Sequence, residues 1–483
     1  MSSVELAREY LERLGTIGME HRAVVMLLED SALAAAREAD KRFAAGKPRG
    51  PLDGVPFGIK DMFATKGLPT TWGSAAHQKQ VFDYDAAVVK RLKAAGGVLV
   101  AKLAMIELAG GGNYNMAGAS ATGACLCAFD KQRWAGGSSS GSGAATALGC
   151  VGYALGSETW GSITCPSAFN GASGLRPTYG RVSRHGAMAL AWSHDKIGCL
   201  ARSVEDCGTV VSAMSGFDPN DPASVDAPSF RTGGGSRGKL RIGVLKEKFN
   251  ENHASACEAA YKAALKVFEQ FGYEIVEVAY PDLPYGTAME LIIGAEGASA
   301  HENFIRSERI HLLPDKDQVA GFLAALNTSA ADYLWALRLR TKARAAEEVW
   351  KKCECVFSPV FYHAAPPATG KFTDTWKNMG GDDGPANLLG WPGSAFPIGM
   401  DDYVVPPPPP GEKSPAPAPE AKPGVEQEPP KDPGVSGAKA KALGYSPAPI
   451  GGQIVAPSFR EDVCIRVARD FQRATSHHLR RPG

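Results

Sequence analysis

The stretch from Trp134 to Thr178 is dominated by glycine, serine and alanine, and it constrains the fold more than any other segment. It predicts, in order, a Gly/Ser-rich loop, a helix of small residues, a strand and a second glycine-serine turn. The loop carries Ser138, and the turn ends on Ser162. Two serines thus stand on two backbone turns of one compact unit, which indicates an enzyme built around a serine nucleophile.

The sequence around these serines does not match the familiar serine hydrolases. Residues 137–141 formally fit the G-x-S-x-G pattern of a nucleophile elbow, but any Ser/Gly-rich run meets that pattern by composition. The polar stretch FDKQRW at 129–134 predicts no strand, although an elbow follows a strand. No aspartate and histidine context completes a Ser-His-Asp triad. Another group must therefore take the proton of the serine.

Lys60 is a candidate for that group. It follows a short apolar run, Val55 to Ile59, whose pattern predicts a buried strand. A charged lysine is a poor base, but loss of solvent lowers a lysine pKa by several units. A lysine at a strand end that faces a dry cavity is then neutral near about pH 7 to 8, where it can accept a proton.

Several motifs along the chain carry a family resemblance. In order, they read GPLDGVPFGIKD, AKLAMIELAGGGN, GGSSSGSGAA, GLRPTYGRVSRHG, SHDKIGCLARSVED, GFDPNDPASVD, KLRIGVLKEKF and ANLLGWPGSAFPIG. On these motifs the chain resembles the amidase signature family. The resemblance implies an α/β fold with a single amidase signature domain over residues 1–483, in which α-helices sandwich a mixed, twisted β-sheet.

The resemblance also implies a Ser-cisSer-Lys catalytic triad. Position by position, it makes Ser162 the nucleophile, Ser138 the bridging serine on a cis peptide and Lys60 the base. Neutral Lys60 can accept the proton of Ser138 while Ser138 accepts that of Ser162, so the mechanism needs no histidine. It implies no metal and no cofactor, because the lysine and two serines carry out the proton transfer and the covalent step.

Backbone N–H groups that lead into the nucleophile are expected to bind the oxyanion of the reaction. The resemblance assigns them to Thr159, Trp160, Gly161 and Ser162. This turn departs from the family pattern, which commonly reads G-G-S-I-R, because Trp160 replaces a glycine and Thr164 replaces the arginine. Without a cation at position 164, there is less reason for the pocket to favour an anionic substrate.

The substrate pocket is less well defined by the sequence. By resemblance, the loop from Ala109 to Asn113 lines it, and Ala109 and Gly110 are the predicted substrate-binding residues. Residues 299–352 predict mostly helices, in the region where the family diverges most and where specificity is shaped. The sequence does not identify the substrate.

The first functional hypothesis is a free-standing serine amidohydrolase. It would cleave the C–N bond of a small-molecule amide, or else an ester or carbamate (urethane), through an acyl-enzyme on Ser162. Intact Lys60, Ser138 and Ser162 support it.

Two other hypotheses remain open. The second hypothesis is the glutaminase (A) subunit of a tRNA-dependent amidotransferase, which would need a partner subunit. GFDPNDPASVD and KLRIGVLKEKF favour that subunit, whereas the absent arginine at 164 and the absence of an E-V-K-R-R-I run oppose it. The other is a non-catalytic scaffold that recruits partners through a proline-rich insertion; the intact triad residues oppose it.

Composition indicates which partners and which cell compartment to expect. A formal net charge of +1 gives no electrostatic reason to bind nucleic acid or a membrane surface. The chain has no apolar run of about 18 residues, and its start, MSSVELAREYLERL, predicts an amphipathic helix rather than a signal peptide. The ten cysteines lie mostly among small or apolar neighbours, which predicts reduced core residues rather than metal ligands. We expect a cytoplasmic protein, with a homodimer one arrangement left open.

One segment cannot build a core. Residues 406–433 contain 12 prolines, interleaved with alanine, glutamate and lysine. Such a composition favours an extended, solvated chain. It interrupts the family pattern, so we predict a disordered proline-rich insertion over residues 402–441 within the one domain.

Overall fold

The structure is a computed structural model, which describes residues 1–483 except 228–229, 231–239, 247–248, 250–254, 377–383 and 408–433. Its strands are β1 (Val24–Leu27), β2 (Pro56–Lys60), β3 (Val98–Leu103), β4 (Leu126–Cys127), β5 (Asp130–Trp134), β6 (Tyr153–Glu158), β7 (Ser173–Arg176), β8 (Lys196–Ala201), β9 (Arg241–Val244), β10 (Glu274–Glu277), β11 (Cys355–Pro359), β12 (Gly393–Asp401) and β13 (Ala448–Val455).

The α-helices are α1 (Ser3–Arg13), α2 (Glu29–Ala44), α3 (Ala87–Ala94), α4 (Ser140–Ala147), α5 (Thr164–Asn170), α6 (Val204–Met214), α7 (Ser255–Gln270), α8 (Tyr285–Ala300), α9 (Glu302–Ile305), α10 (Lys316–Ala325), α11 (Ala330–Ala343), α12 (Phe372–Thr375), α13 (Gly437–Ala442) and α14 (Glu461–Ala474). Shorter 3₁₀ or π turns cover Leu14–Gly18, Ala75–His77, Glu107–Gly110, Glu308–Leu312, Arg344–Lys351 and His477–Leu479.

Eleven strands form one mixed sheet in the order β1-β3-β2-β6-β8-β7-β12-β13-β11-β9-β10. β2 pairs in parallel with both β3 and β6, whereas β8 runs antiparallel to β6 and β7. At the other end, β9 pairs in parallel with β10 and β11. The predicted mixed sheet is confirmed, and it places β2 beside β6, the strand that leads into the Ser162 turn.

The two faces of the sheet pack against different helices, as the alternation along β6 shows. Tyr153 and Leu155 lie in a hydrophobic core shared with α3, α6, α7 and α14. Ala154, between them, lies in a second core shared with α1, α2 and α4. Because successive side chains of a strand point to opposite faces, helices cover both faces of the sheet. This is the α/β/α layering that the family resemblance implies.

The amphipathic helix expected at the start of the chain is α1. Ser2 caps it, since Ser2 Oγ accepts a hydrogen bond from Glu5 N at 3.1 Å and the Glu5 carboxylate accepts one from Ser2 N at 2.7 Å. This reciprocal capping box satisfies backbone donors that the first helical turn leaves without a partner. Among the described residues, no helix is both long and apolar enough to cross a membrane.

The prediction that FDKQRW forms no strand is wrong. Residues 130–134 form β5, which pairs antiparallel with β4 outside the main sheet. Tertiary contacts stabilise this polar strand, because fully buried Arg133 donates to Asp130 Oδ2 at 3.2 Å and to the carbonyl of Ala365 at 2.7 Å. A strand that buries an arginine in place of an apolar residue lacks the alternation of apolar and polar residues by which strands are predicted.

Most of the predicted insertion, residues 408–433, lies outside the described residues. Its two ends are described and have defined structure. Val404 and Val435 form an antiparallel bridge, and α13 starts two residues later. The chain on either side of 408–433 is therefore held together by this bridge, in which Val404 is buried.

Candidate active site

Lys60 is the last residue of β2, a strand buried along its whole length. Its side chain has no exposed surface, and its Nζ lies 2.7 Å from Ser138 Oγ and 2.9 Å from Ser157 Oγ. Burial lowers the pKa of Lys60 to about 7, although Asp195 and Glu158 oppose that shift. The predicted buried strand is therefore present, and its terminal lysine is easily deprotonated near neutral pH.

Ser138 lies between the lysine and the second serine. The Gly137–Ser138 peptide is cis, and the Ser138 and Ser162 Oγ atoms are 2.9 Å apart. Gly136, just before it, has φ 81°, and a Cβ there would lie 3.0 Å from the backbone of Pro166, so only glycine fits. The structure thus brings Lys60, Ser138 and Ser162 into one hydrogen-bonded chain. Their catalytic roles remain a prediction.

The four residues assigned to the oxyanion hole form one turn after β6. Gly161 has φ 83°, and a Cβ there would have nothing within 4 Å, whereas Trp160 keeps a negative φ. Within the described part of the chain, the N–H groups of Trp160, Gly161 and Ser162 have no protein acceptor. Thr159 anchors the turn through a 2.6 Å bond from its Oγ1 to Asp195. Donors on an open turn beside a serine suit a developing oxyanion.

Trp160 replaces a glycine without straining the turn, because the positive φ falls on Gly161. Its indole is 36% exposed and lies against the first turn of α8, where a Cβ on Gly286 would be 3.7 Å from Trp160 Cη2. An aromatic side chain is therefore two positions before Ser162 in the same turn.

Glu158 organises the start of α5, directly after Ser162, a role that the sequence motifs did not indicate. Its Oε2 accepts hydrogen bonds from Ile163 N at 2.8 Å and from Thr164 N at 2.9 Å. The Thr164 hydroxyl lies 3.3 Å from the same oxygen, and Arg176 Nη1 lies 2.5 Å from Oε1. Arg176, from the GLRPT motif, thus supplies a cation to Glu158 in a chain that has no arginine at 164. The feature that could have indicated this role is a glutamate at the end of a buried strand, because a buried charge needs a partner.

Electrostatics keep Glu158 ionised. Burial acts to raise its pKa, but Arg176, Lys196 and the hydrogen bond from Thr164 outweigh burial and lower it to about 2. The carboxylate is therefore ionised at neutral pH, where it accepts these hydrogen bonds.

The titration of Lys60 predicts how activity depends on pH. Below about pH 7 the lysine holds a proton and cannot accept another, so kcat/KM for an amide should rise tenfold per pH unit on the acid side and level off above about pH 8. A pH profile of initial rates measures this, with circular dichroism at each pH to verify the fold. A profile that is flat between about pH 5.5 and 8 would contradict a lysine base.

The Glu158–Arg176 pair predicts a stability effect. Arg176 is 1% exposed, so Arg176→Met leaves a buried carboxylate without the cation hydrogen-bonded to it and should lower the free energy of unfolding by about 3 kcal/mol. Urea denaturation measures it. Arg241→Met is the control, because the solvent-accessible Arg241–Glu354 pair should contribute far less to stability. Equal losses in both variants would contradict this account of Glu158.

The loop predicted to line the substrate pocket lies beside Ser138. Ile106 N donates to Ser138 O at 3.0 Å. A few residues later, Ala109 and Gly110 both have positive φ values, 54° and 92°. The structure thus brings the loop next to the triad, and substrate binding by Ala109 and Gly110 remains a prediction.

All ten cysteines are buried, and none of them forms a disulfide bond within the described part of the chain. Over the described residues, no cluster of three or more His, Cys, Asp or Glu side chains has an arrangement that could hold a metal ion.

Comparison with known proteins identifies the family. The Amidase family model matches residues 5–465. The chain therefore belongs to the amidase family, and the resemblance inferred from its motifs is confirmed.

Three similar proteins illustrate the range of this family. The A subunit of the glutamyl-tRNA(Gln) amidotransferase of Anaeromyxobacter dehalogenans is 44% identical over 305 residues, which span 62% of this chain and only 61% of that protein. The protein of the same name from Trichormus variabilis is 32% identical over an alignment of 515 residues that covers 100% of this chain and 96% of that protein. The peptide amidase of Stenotrophomonas maltophilia is 26% identical, with a TM-score of 0.79 over 100% of this chain and 95% of that one.

Proposed function

We propose that this protein is a serine amidohydrolase that cleaves a C–N amide bond through an acyl-enzyme on Ser162. One observation carries the proposal: Lys60 Nζ, Ser138 Oγ and Ser162 Oγ form a continuous chain with separations of 2.7 and 2.9 Å. All three side chains are more than nine-tenths buried, so bulk water does not compete for the protons they exchange.

The mechanism follows from this chain. Neutral Lys60 accepts the proton of Ser138 as Ser138 accepts that of Ser162, and Ser162 Oγ attacks the amide carbonyl. The N–H groups of residues 159–162 bind the negative oxygen of the tetrahedral intermediate, each typically lowering the barrier by about 3 kcal/mol. The relay then runs in reverse and protonates the leaving amine. Water, deprotonated through the same chain, hydrolyses the acyl-enzyme.

A small, uncharged amide, ester or carbamate is the substrate class that this site favours. Position 164, where the family commonly has an arginine, carries a threonine whose hydroxyl lies on Glu158. The indole of Trp160 adds apolar surface beside the nucleophile. Similarity to a peptide amidase supports a free-standing hydrolase.

A second candidate is the glutaminase subunit of a tRNA-dependent amidotransferase. Two similar proteins carry the name of such a subunit, one of them matched along the whole of this chain, so the comparisons favour this candidate over the first. It requires glutaminase activity and a partner protein that receives the ammonia. The hydrogen-bonded triad serves both candidates and opposes a non-catalytic scaffold.

Release of amine or ammonia separates the two candidates. The purified protein is incubated with L-glutamine, an aliphatic amide, an aryl amide and an aryl carbamate, with Ser162→Ala as the blank. Turnover of aryl amide or carbamate without glutamine supports the free-standing hydrolase. Turnover of glutamine alone, with a second subunit co-purifying from the source organism, supports the amidotransferase. Equal release by the wild type and the blank from every substrate would overturn the proposal.

A further inference from the structure

The segment 106–114 touches the cis peptide at both of its ends. Ile106 N donates to Ser138 O at 3.0 Å. A Cβ on Gly137 would lie 2.9 Å from Ile106 Cγ1 and 2.8 Å from Tyr114 Oη. Ile106 and Tyr114 therefore border the peptide that carries Ser138, and the backbone between them sets how these two residues are placed.

That backbone has an unusual conformation. Leu108 and Ala109 have φ values of 47° and 54°, and Gly110 follows at 92°. Non-glycine residues seldom adopt positive φ, because their Cβ then lies too close to the backbone. Two in succession persist only where surrounding structure holds them, so the conformation needs an external constraint.

Helix α10 provides that constraint through Gln318. This side chain is fully buried, and its Nε2 donates to Glu107 O at 3.1 Å and to Gly111 O at 2.8 Å. The two carbonyls lie on either side of the left-handed residues 108–110. One amide group therefore fixes the distance between the two ends of the turn.

Close packing of α10 on the loop reinforces these bonds. A Cβ on Gly111 or on Gly112 would lie 2.6 Å from the Phe322 ring, and a Cβ on Gly321 would lie 2.0 Å from Gly112 O. Backbone and ring approach so closely that none of the three glycines can carry a side chain. The loop cannot shift toward α10. The two bonds from Gln318 oppose its turning away on the α10 side, whereas Leu108 N holds its other side by donating to Trp72 O at 2.9 Å.

We propose that Gln318 is a positioning residue that sets acyl-group specificity by fixing the left-handed turn at 108–110 beside Ser138. The specificity part of this inference rests on the proposed amidohydrolase function. α10 lies in the helical region 299–352, where the motifs of the chain assign no role. Gln318 touches neither serine of the triad, so it acts on the reaction only through the loop.

The test compares Gln318→Met with Gln472→Met. Methionine has about the volume of glutamine but donates no hydrogen bond. Gln472 is a matched control in α14, since it is 5% exposed, donates to Ser173 Oγ at 2.7 Å and accepts from Val204 N at 3.1 Å. Two readouts are taken: amide hydrogen exchange of residues 107–114, and the ratio of kcat/KM for acetanilide and benzanilide.

We expect exchange in 107–114 to be about tenfold faster in Gln318→Met and unchanged in Gln472→Met. The kcat/KM ratio should shift about tenfold in Gln318→Met alone, mainly through KM, while the rate at which a fluorophosphonate labels Ser162 stays within about twofold. If Gln318→Met does not fold, Phe322→Leu, which loosens the packing of α10 on Gly111 and Gly112, should also speed exchange in 107–114 and shift the substrate ratio.

The two readouts separate the failure of this inference from failure of the proposed function. Unchanged exchange in 107–114 overturns the constraint whether or not the protein is an amidase. Faster exchange with an unchanged substrate ratio overturns the link to specificity. If the wild type hydrolyses neither anilide, acetamide and benzamide replace them, and the exchange result still decides whether Gln318 holds the loop.

Discussion

Ser162→Ala should lower kcat for any amide substrate by ~10⁴-fold or more, because it removes the hydroxyl that we propose forms the acyl-enzyme. Ser162 is 8% exposed, and the substitution removes one oxygen atom without adding bulk. The fold should therefore persist. Initial rates of amine release at saturating substrate measure the effect. Residual activity would come from the N–H groups of the turn and from substrate binding alone.

Ser142→Ala is the matched control for this variant. Ser142 is fully buried on α4, and its Oγ bonds to Leu155 O at 2.8 Å, away from the relay. It should retain turnover within about threefold, with a modest loss of stability. Comparable rates in Ser162→Ala and Ser142→Ala would show that Ser162 is not the nucleophile.

Lys60→Met should lower kcat by ~10³-fold or more, since the proton of Ser138 then has no acceptor. Methionine fits the buried site without introducing a charge, so the fold should persist. The rate that remains should also lose its rise through about pH 7, because the titrating group is gone. Rates from about pH 6 to 9 measure both effects.

Lys60→Arg distinguishes a base from a structural cation. Arginine keeps the positive charge and the hydrogen bonds, but it does not lose its proton in proteins. We expect this variant to be as inactive as Lys60→Met. Recovery of turnover in Lys60→Arg would mean that position 60 needs a charge and not a base.

Local patterns predicted much of this arrangement. The apolar run before Lys60 predicted β2, and the small-residue helix and strand between Ser138 and Ser162 correspond to α4 and β6. Each triad residue lies in its own short motif with a fixed local geometry. That is why sequence could name all three before a structure placed their side chains within hydrogen-bond distance.

Features that depend on distant partners were not predictable in this way. β5 is polar because carbonyl groups more than 200 positions later in the chain solvate Arg133. Gln318 reaches Glu107 across 211 positions, and no local pattern marks it. The pairing of Glu158 with Arg176 depends on two strands that the sheet separates by β8. These polar residues need partners because they are buried, and a single sequence does not show which polar residues are buried.

Labelling with a fluorophosphonate, followed by peptide mapping at several pH values, tests the Lys60–Ser138–Ser162 relay most directly. The account predicts a single adduct on Ser162 in the wild type, at a rate that rises with pH through about 7. It predicts at least about a hundredfold slower labelling in Lys60→Met. An adduct on another residue, or equal labelling rates in the wild type and Lys60→Met, would contradict the relay.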